Sequence, residues 1–156
     1  MVPTVEWHKG AVRLLDQSRL PETVAFLDCR DVQAVASAIR ELKVRGAPAI
    51  GVTAAMGVAL GAQDILATDY DAFVKALLPI CDELAATRPT AVNLFWAIDR
   101  MKRKLSALGS ESVPSIKAAL MGESQAILDE DIALCKSMGR HGADLIQGGQ
   151  TILTHC

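Results

Sequence analysis

Between Pro48 and about Gly61 the chain carries no charged residue, and most of its side chains there are Ala, Gly or Thr. Pro48 suits the first turn of a helix, where its missing N–H loses nothing. A helix that is apolar all round is buried on every side. One lined with glycine and alanine lets neighbouring backbones come close. The stretch is too short and too rich in glycine to read as a membrane span.

Arg45 and Gly46 stand just ahead of Pro48. The N-terminal end of a helix carries partial positive charge, so a cation there is unfavourable by itself. A bound anion reverses the sign, since free N–H groups of the first turn and a guanidinium together make a phosphate site. On spacing alone a second reading stands beside it: Arg45 is solvated and Gly46 only ends the preceding helix as a C-cap. Arg88 repeats the pattern in Thr87-Arg88-Pro89-Thr90, an arginine and then a proline just before a helix begins. Two such arginines can clamp one phosphate from two sides.

The 156 residues are enough for one domain with a real core. With 51% hydrophobic and 22% charged residues the composition is that of a globular chain. A net charge of −2 and 4% aromatics leave neither a basic footprint nor a stacking platform for nucleic acid. Met1 to Gly10 has no apolar leader segment. Cys29, Cys81, Cys135 and Cys156 lie far apart with no C-x-x-C, which argues against zinc and fits free thiols in a reducing cytosol. Three isolated histidines make no metal site. No dinucleotide fingerprint, P-loop or nucleophile elbow appears.

Residues 1–30 read as a small β element. Trp7-His8-Lys9-Gly10 is a turn before a strand over Ala11–Asp16, and Thr23–Leu27 is β-prone. Trp7 is a packing residue, and Asp16-Gln17 either hydrogen-bonds a substrate or caps its own turn. Residues 31–148 read as helical. Asp31 caps a helix running to about Val44, with Val32, Val35, Ala36, Ile39 and Leu42 on its buried face. Asp69 caps a helix over Tyr70–Thr87, kinked or broken at Pro79, with Cys81 in its core. Thr90 caps the next helix, whose stripe is Leu94, Ile98, Met101, Leu105 and Leu108. Arg100, Lys102, Arg103 and Lys104 complement the dipole in its last turns. From about Val113 to His141 the chain is helical again, with Gly122 as a point of interruption. Ile116, Ala119, Leu120, Ile127, Ile132, Leu134, Cys135 and Met138 are its expected core residues. Residues 149–156 read as the first strand of a parallel sheet.

Four segments resemble the methylthioribose-1-phosphate isomerase family, which is related to the regulatory alpha, beta and delta subunits of translation initiation factor 2B. They are Leu14–Pro21, Val44–Gly57, Thr87–Leu94 and Thr151–Cys156, in family order along the whole chain. The resemblance implies a mainly α N-terminal domain followed by the first strand of a Rossmann-like α/β domain, the rest of which is missing from this chain. It implies the aldose–ketose isomerisation of 5-methylthioribose 1-phosphate to 5-methylthioribulose 1-phosphate, a step of methionine salvage, with no metal or redox cofactor. Arg45, Gly46, Ala47 and Arg88 match positions that contact the substrate phosphate, and Cys156 matches a catalytic cysteine. Its aspartate partner lies further along than this chain reaches, so the 156 residues alone are expected to be inactive. A cytoplasmic homodimer of the complete protein, acting on a small sugar phosphate with no nucleic acid or membrane partner, follows from the same likeness. Two alternatives stand beside it. One is a related isomerase of ribose 1,5-bisphosphate, and the other is a non-catalytic regulatory subunit.

Overall fold

A computed structural model describes residues 2–153; Met1 and Thr154–Cys156 lie outside the described residues. The chain begins with three strands, β1 (Val5–His8), β2 (Ala11–Leu15) and β3 (Phe26–Cys29). They form an antiparallel sheet in the order β1-β2-β3, with Val5 opposite Leu14 and Val12 opposite Cys29. Lys9 and Gly10 both have positive φ, 48° and 76°, and close the two-residue hairpin between His8 and Ala11. The expected turn is thus two residues shorter, because Trp7 and His8 already belong to β1. Alternation sends Val5, Val12, Leu14 and Cys29 to the buried face. On the other face Arg13 holds Asp28 through two hydrogen bonds of 2.6 and 2.9 Å.

Five helices follow: α1 (Val32–Arg40), α2 (Ala47–Asp64), α3 (Tyr70–Ala85), α4 (Val92–Ser106) and α5 (Val113–Ala143). α2 is the uncharged stretch, and every residue from Ile50 to Ala62 is buried. It touches all four other helices and strands β1 and β2. Its glycines set those distances. A Cβ built on Gly51 would lie 2.8 Å from the carbonyl oxygen of Asn93 in α4, and one on Gly61 would lie 2.6 Å from Val32 Cγ2 in α1.

Asp31 and Asp69 cap α1 and α3 as the sequence indicates, and Ser112 caps α5. Thr90 does not cap α4; Ala91 occupies the position and the helix starts without a side-chain cap. α1 also ends earlier than expected. Leu42 takes a left-handed φ of 56°, the Leu42 N–H reaches Ile39 O and the Lys43 N–H reaches Ala38 O. That pair of bonds is a Schellman closure with leucine where glycine is usual. Leu42 is turned outward as a result, and Val44 fills the core in its place.

α3 runs unbroken through Pro79, which lies on its exposed face. There water can serve the carbonyl that proline leaves without a partner. α5 runs unbroken through Gly122. Thirty-one residues make a rod of roughly 46 Å at 1.5 Å per residue, well beyond the length of its neighbours. Its first half packs, through Ile116, Leu120 and Ile127, and its second half overhangs. Ile132, Leu134, Met138 and Cys135, expected in the core, are therefore exposed. Thr151–Leu153 are exposed and irregular; no neighbouring strand is present among the described residues to form a ladder with them.

Of the basic cluster of α4 only Arg103 and Lys104 stand in the last turn, where they complement the helix dipole; Arg100 lies further back and serves otherwise. Arg100 Nε donates to Glu123 at 2.6 Å and Arg100 Nη2 donates to Glu130 at 2.7 Å, while Lys104 lies 3.4 Å from Glu123. These pairs clasp α4 to α5. Partial burial raises the Glu123 pKa, but the hydrogen bond from Arg100 and the nearby Lys104 outweigh it and hold Glu123 below the usual glutamate value of 4.5. A depressed carboxylate adds stability above its unfolded pKa and loses it as pH falls through the folded one. Arg100→Met is accordingly expected to lower stability at pH 7 and to shrink the loss between pH 4.5 and pH 3. Urea unfolding at the two ends of that window measures both; an unchanged acid limb would leave the clasp without a role in it.

Candidate functional site

The segment that carries Arg45 is anchored from two sides. Asp16 caps its own turn, as one of the two expectations for it held: its carboxylate accepts from Ser18 N–H and Oγ. Its pKa is lowered first by that hydroxyl and further by Lys43, which lies 3.8 Å away. Gln17 ties this turn to the next segment. Its N–H donates to Lys43 O and its side-chain amide donates to Arg45 O at 3.3 Å. Arg45 Nε in turn donates to Leu42 O at 3.2 Å.

Gly46 has φ +94° and serves as the N-cap of α2. It therefore opens α2 rather than closing α1, which already ended at Arg40. An L side chain rarely adopts that backbone, so glycine is required by the turn itself. No side chain caps α2, and Pro48 lies in its first turn. Ala47 is exposed there.

Arg88 precedes α4, half-buried, after Thr87 has bonded back to Leu84 O. α4 is the other helix without a side-chain cap. The two uncapped ends lie side by side, since Gly51, one turn into α2, abuts the Asn93 carbonyl near the start of α4. Among the described residues neither Arg45 nor Arg88 belongs to an ion pair. The arrangement offers two guanidinium-bearing segments and two sets of free N–H groups at one end of the helical layer. Cys156 lies outside the described residues.

The thiols inside the domain have no place in this chemistry. Burial pushes Cys29 and Cys81 up to about 11, so both stay protonated at neutral pH. Among the described residues no group of three or more His, Cys, Asp or Glu is placed to hold a metal ion. No helix among them is long and apolar enough to cross a membrane.

A cleft of about 410 Å³ opens beside the two helix starts, between α2, α4 and α5. Pro48 and Val52 line it from α2, Val92 and Trp96 from α4, and Ile127 and Leu134 from α5. Val92 and Trp96 are not among the expected site residues, yet they lie one helical turn apart and off the buried stripe of Leu94, Ile98, Met101 and Leu105, a pattern visible in the sequence. Arg100 packs over the Trp96 ring at 5.6 Å from its centroid and fixes it at the cleft.

The model of the initiation factor 2 subunit family matches residues 43–156. Over 153 residues the chain is 54% identical to the methylthioribose-1-phosphate isomerase of Trichlorobacter lovleyi and 52% identical to that of Geobacter metallireducens. Each match takes in 98% of this chain and 44% of the relative, so the chain spans less than half the length of these relatives. Among solved structures, the 5-methylthioribose 1-phosphate isomerase of Pyrococcus horikoshii is similar with a TM-score of 0.89 and 36% identity, over 94% of this chain and 41% of that one. The delta subunit of translation initiation factor eIF-2B from A. fulgidus is similar with a TM-score of 0.86 and 38% identity, over 96% of this chain and 43% of that one.

Proposed function

The chain belongs to the initiation factor 2 subunit family, and from that premise we propose that it provides the phosphate-binding part of a methylthioribose-1-phosphate isomerase. The observation that carries this reading is the identity of about half of its residues with curated relatives of that name, over 98% of its length. The site geometry supports it with a place for the phosphate. In this reading Arg45 and Arg88 grip one anion, and the backbone N–H groups of Gly46 and Ala47 complete the cradle.

The reaction converts an aldose phosphate to a ketose phosphate. Phosphate on the anomeric carbon blocks spontaneous ring opening, so the protein has to assist it. A phosphate held at the α2 and α4 starts fixes the sugar carbon next to it. Proton or hydride movement between the first and second carbons then needs an acid/base group and a dry pocket. We assign Cys156 to that step, with an aspartate from the further length that the relatives possess. The 156-residue chain alone is proposed to be inactive on the same grounds, and the cytoplasmic homodimer implied by the sequence goes with this reading.

The test is an assay of the protein at its relatives' full length on 5-methylthioribose 1-phosphate and on ribose 1,5-bisphosphate. Turnover of the first and not the second is the expected result. Turnover of the second alone would move the chain to a different sugar phosphate. Turnover of neither would favour a regulatory role, to which the likeness with the A. fulgidus delta subunit lends support.

A further inference from the structure

Gln17 stands half-buried in the turn after β2, outside the proposed phosphate contacts. That turn is built into the sheet and tied to the next segment: the Asp16 N–H donates to Ala25 O at 2.9 Å, and Lys43 Nζ donates to Ser18 Oγ at 3.3 Å. From this turn Gln17 takes two carbonyls of the segment that leads into α2. Its backbone N–H donates to Lys43 O at 2.8 Å and its side-chain amide to Arg45 O at 3.3 Å. Val44, between them, is fully buried. Both carbonyls thus open toward the sheet turn while the intervening side chain enters the core.

A peptide unit is planar and trans, so its N–H points opposite to its C=O. The Arg45 carbonyl and the Gly46 N–H belong to one such unit. With the carbonyl drawn to Gln17, the Gly46 N–H faces away from the sheet turn, and no acceptor takes it among the described residues. Gly46 does not choose this direction by itself. Glycine populates positive and negative φ about equally, so the +94° observed here is open to reversal. Reversal would turn the unit over and aim the Arg45 oxygen where the N–H now points. An anion there would then meet the negative end of a dipole in place of a donor.

We propose that Gln17 is a positioning residue for the anion: by holding the Arg45 carbonyl it keeps the Arg45–Gly46 peptide with its N–H, and not its oxygen, toward the bound phosphate. The proposal rests on the phosphate-site reading and adds to it the device that sets the sign of the cradle. Gln17 itself touches no ligand in it. The residue type suits the task, since an amide donates to a carbonyl without bringing a charge. A carboxylate of the same length has no proton to donate at neutral pH.

The protein at its relatives' full length tests it, with inorganic phosphate as the probe. The Gly46 amide is followed by NMR, using nitrogen-labelled glycine next to carbonyl-labelled arginine. In the unaltered protein this amide is expected to move downfield as phosphate binds. Gln17→Met keeps the length of the side chain and removes the donor. It is expected to weaken phosphate binding by about 5-fold, the usual worth of one uncharged hydrogen bond, and to abolish the Gly46 response. With 5-methylthioribose 1-phosphate, KM should rise by a similar factor and kcat stay unchanged, the pattern of a lost binding contact. Gln17→Asn, a methylene too short to reach, is expected to behave alike, so a folding defect in one variant does not decide the outcome. Weaker binding with the Gly46 response intact would make Gln17 a packing residue or a direct ligand contact and would overturn the proposal. Unchanged binding in both variants, or a Gly46 amide that phosphate leaves unmoved in the unaltered protein, would overturn it too, and in each of these cases the phosphate site stands. Failure of the unaltered protein to bind phosphate would overturn the phosphate reading and this proposal with it.

Discussion

Replacing Gly51 by valine is expected to destabilise the chain by roughly 3 kcal/mol, at the upper end of overpacking in a tight core. The reason is the identity of the atom it would strike. A Cβ on Gly51 would sit 2.8 Å from the Asn93 carbonyl oxygen and 3.3 Å from its carbon. Both belong to backbone, and a helix cannot step aside as a side chain can. Gly61 makes the contrast, for its Cβ would meet side-chain atoms of Val32 and Ile80 that can rotate. Helix propensity pulls the other way, since glycine in a helix interior costs about 1 kcal/mol relative to alanine. Gly122 isolates that term: a Cβ there meets nothing within 4 Å, so Gly122→Ala should stabilise by up to about 1 kcal/mol. Urea unfolding of the two variants should give shifts of opposite sign. A Gly51→Val protein as stable as the parent would mean that α2 and α4 are not held at this distance.

If the proposed function holds, Arg45→Ala in the protein at its relatives' full length is expected to lower kcat/KM by about 100-fold, which corresponds to roughly 2.8 kcal/mol at 1.4 kcal/mol per decade. Hydrogen bonds to a charged group contribute about 1.5–3 kcal/mol each, so one lost guanidinium accounts for it. Arg88→Ala should have an effect of similar size. Arg45→Lys should lose about 10-fold, because an ammonium keeps the charge and cannot reproduce the paired donors of the fork. Arg45 is exposed and Arg88 half-buried, with neither in an ion pair among the described residues, so folding should survive the changes. The double variant carries the sharper information. Two arginines on one phosphate are coupled, and their combined loss should differ from the product of the single losses. Strict multiplication would place them on separate partners.

Much of this architecture is readable from the chain because its signals are local. Asp31 and Asp69 announce their helices, since a short polar side chain at an N-cap bonds a backbone N–H three residues on. The charge-free run of α2 announces its own burial. Other signals are misleading or silent. α1 closes on Leu42 in a left-handed conformation, so no glycine marks its end, and periodicity alone carries the helix to Val44. α5 keeps an apolar pattern past Ile127, and the pattern does not reveal that the neighbouring helices are too short to cover it. Arg100 reads from the sequence as a helix-end cation, whereas it stands mid-helix and its pairing with Glu123 and Glu130 depends on a helix more than twenty residues away. The arginine-bearing starts of α2 and α4 are legible from sequence as two separate features. Their side-by-side placement comes from Gly51, whose missing side chain admits the α4 backbone.

Burial of α2 on all sides has a bearing on its first turn. Ile50 to Ala62 are locked among six other elements, so the turn that begins at Gly46 cannot sway independently of the domain. Gln17 holds the carbonyl of Arg45 from the sheet side, which removes a further freedom. At the proposed phosphate site an anion would find its N–H groups already oriented and would have little backbone entropy left to quench. Association with such a pre-formed cradle loses less free energy to ordering than association with a loop that must first settle. Under the proposed function the same rigidity would give a bound phosphate a fixed position relative to the adjoining sugar carbons, where misplacement by about 1 Å can cost 100-fold in rate.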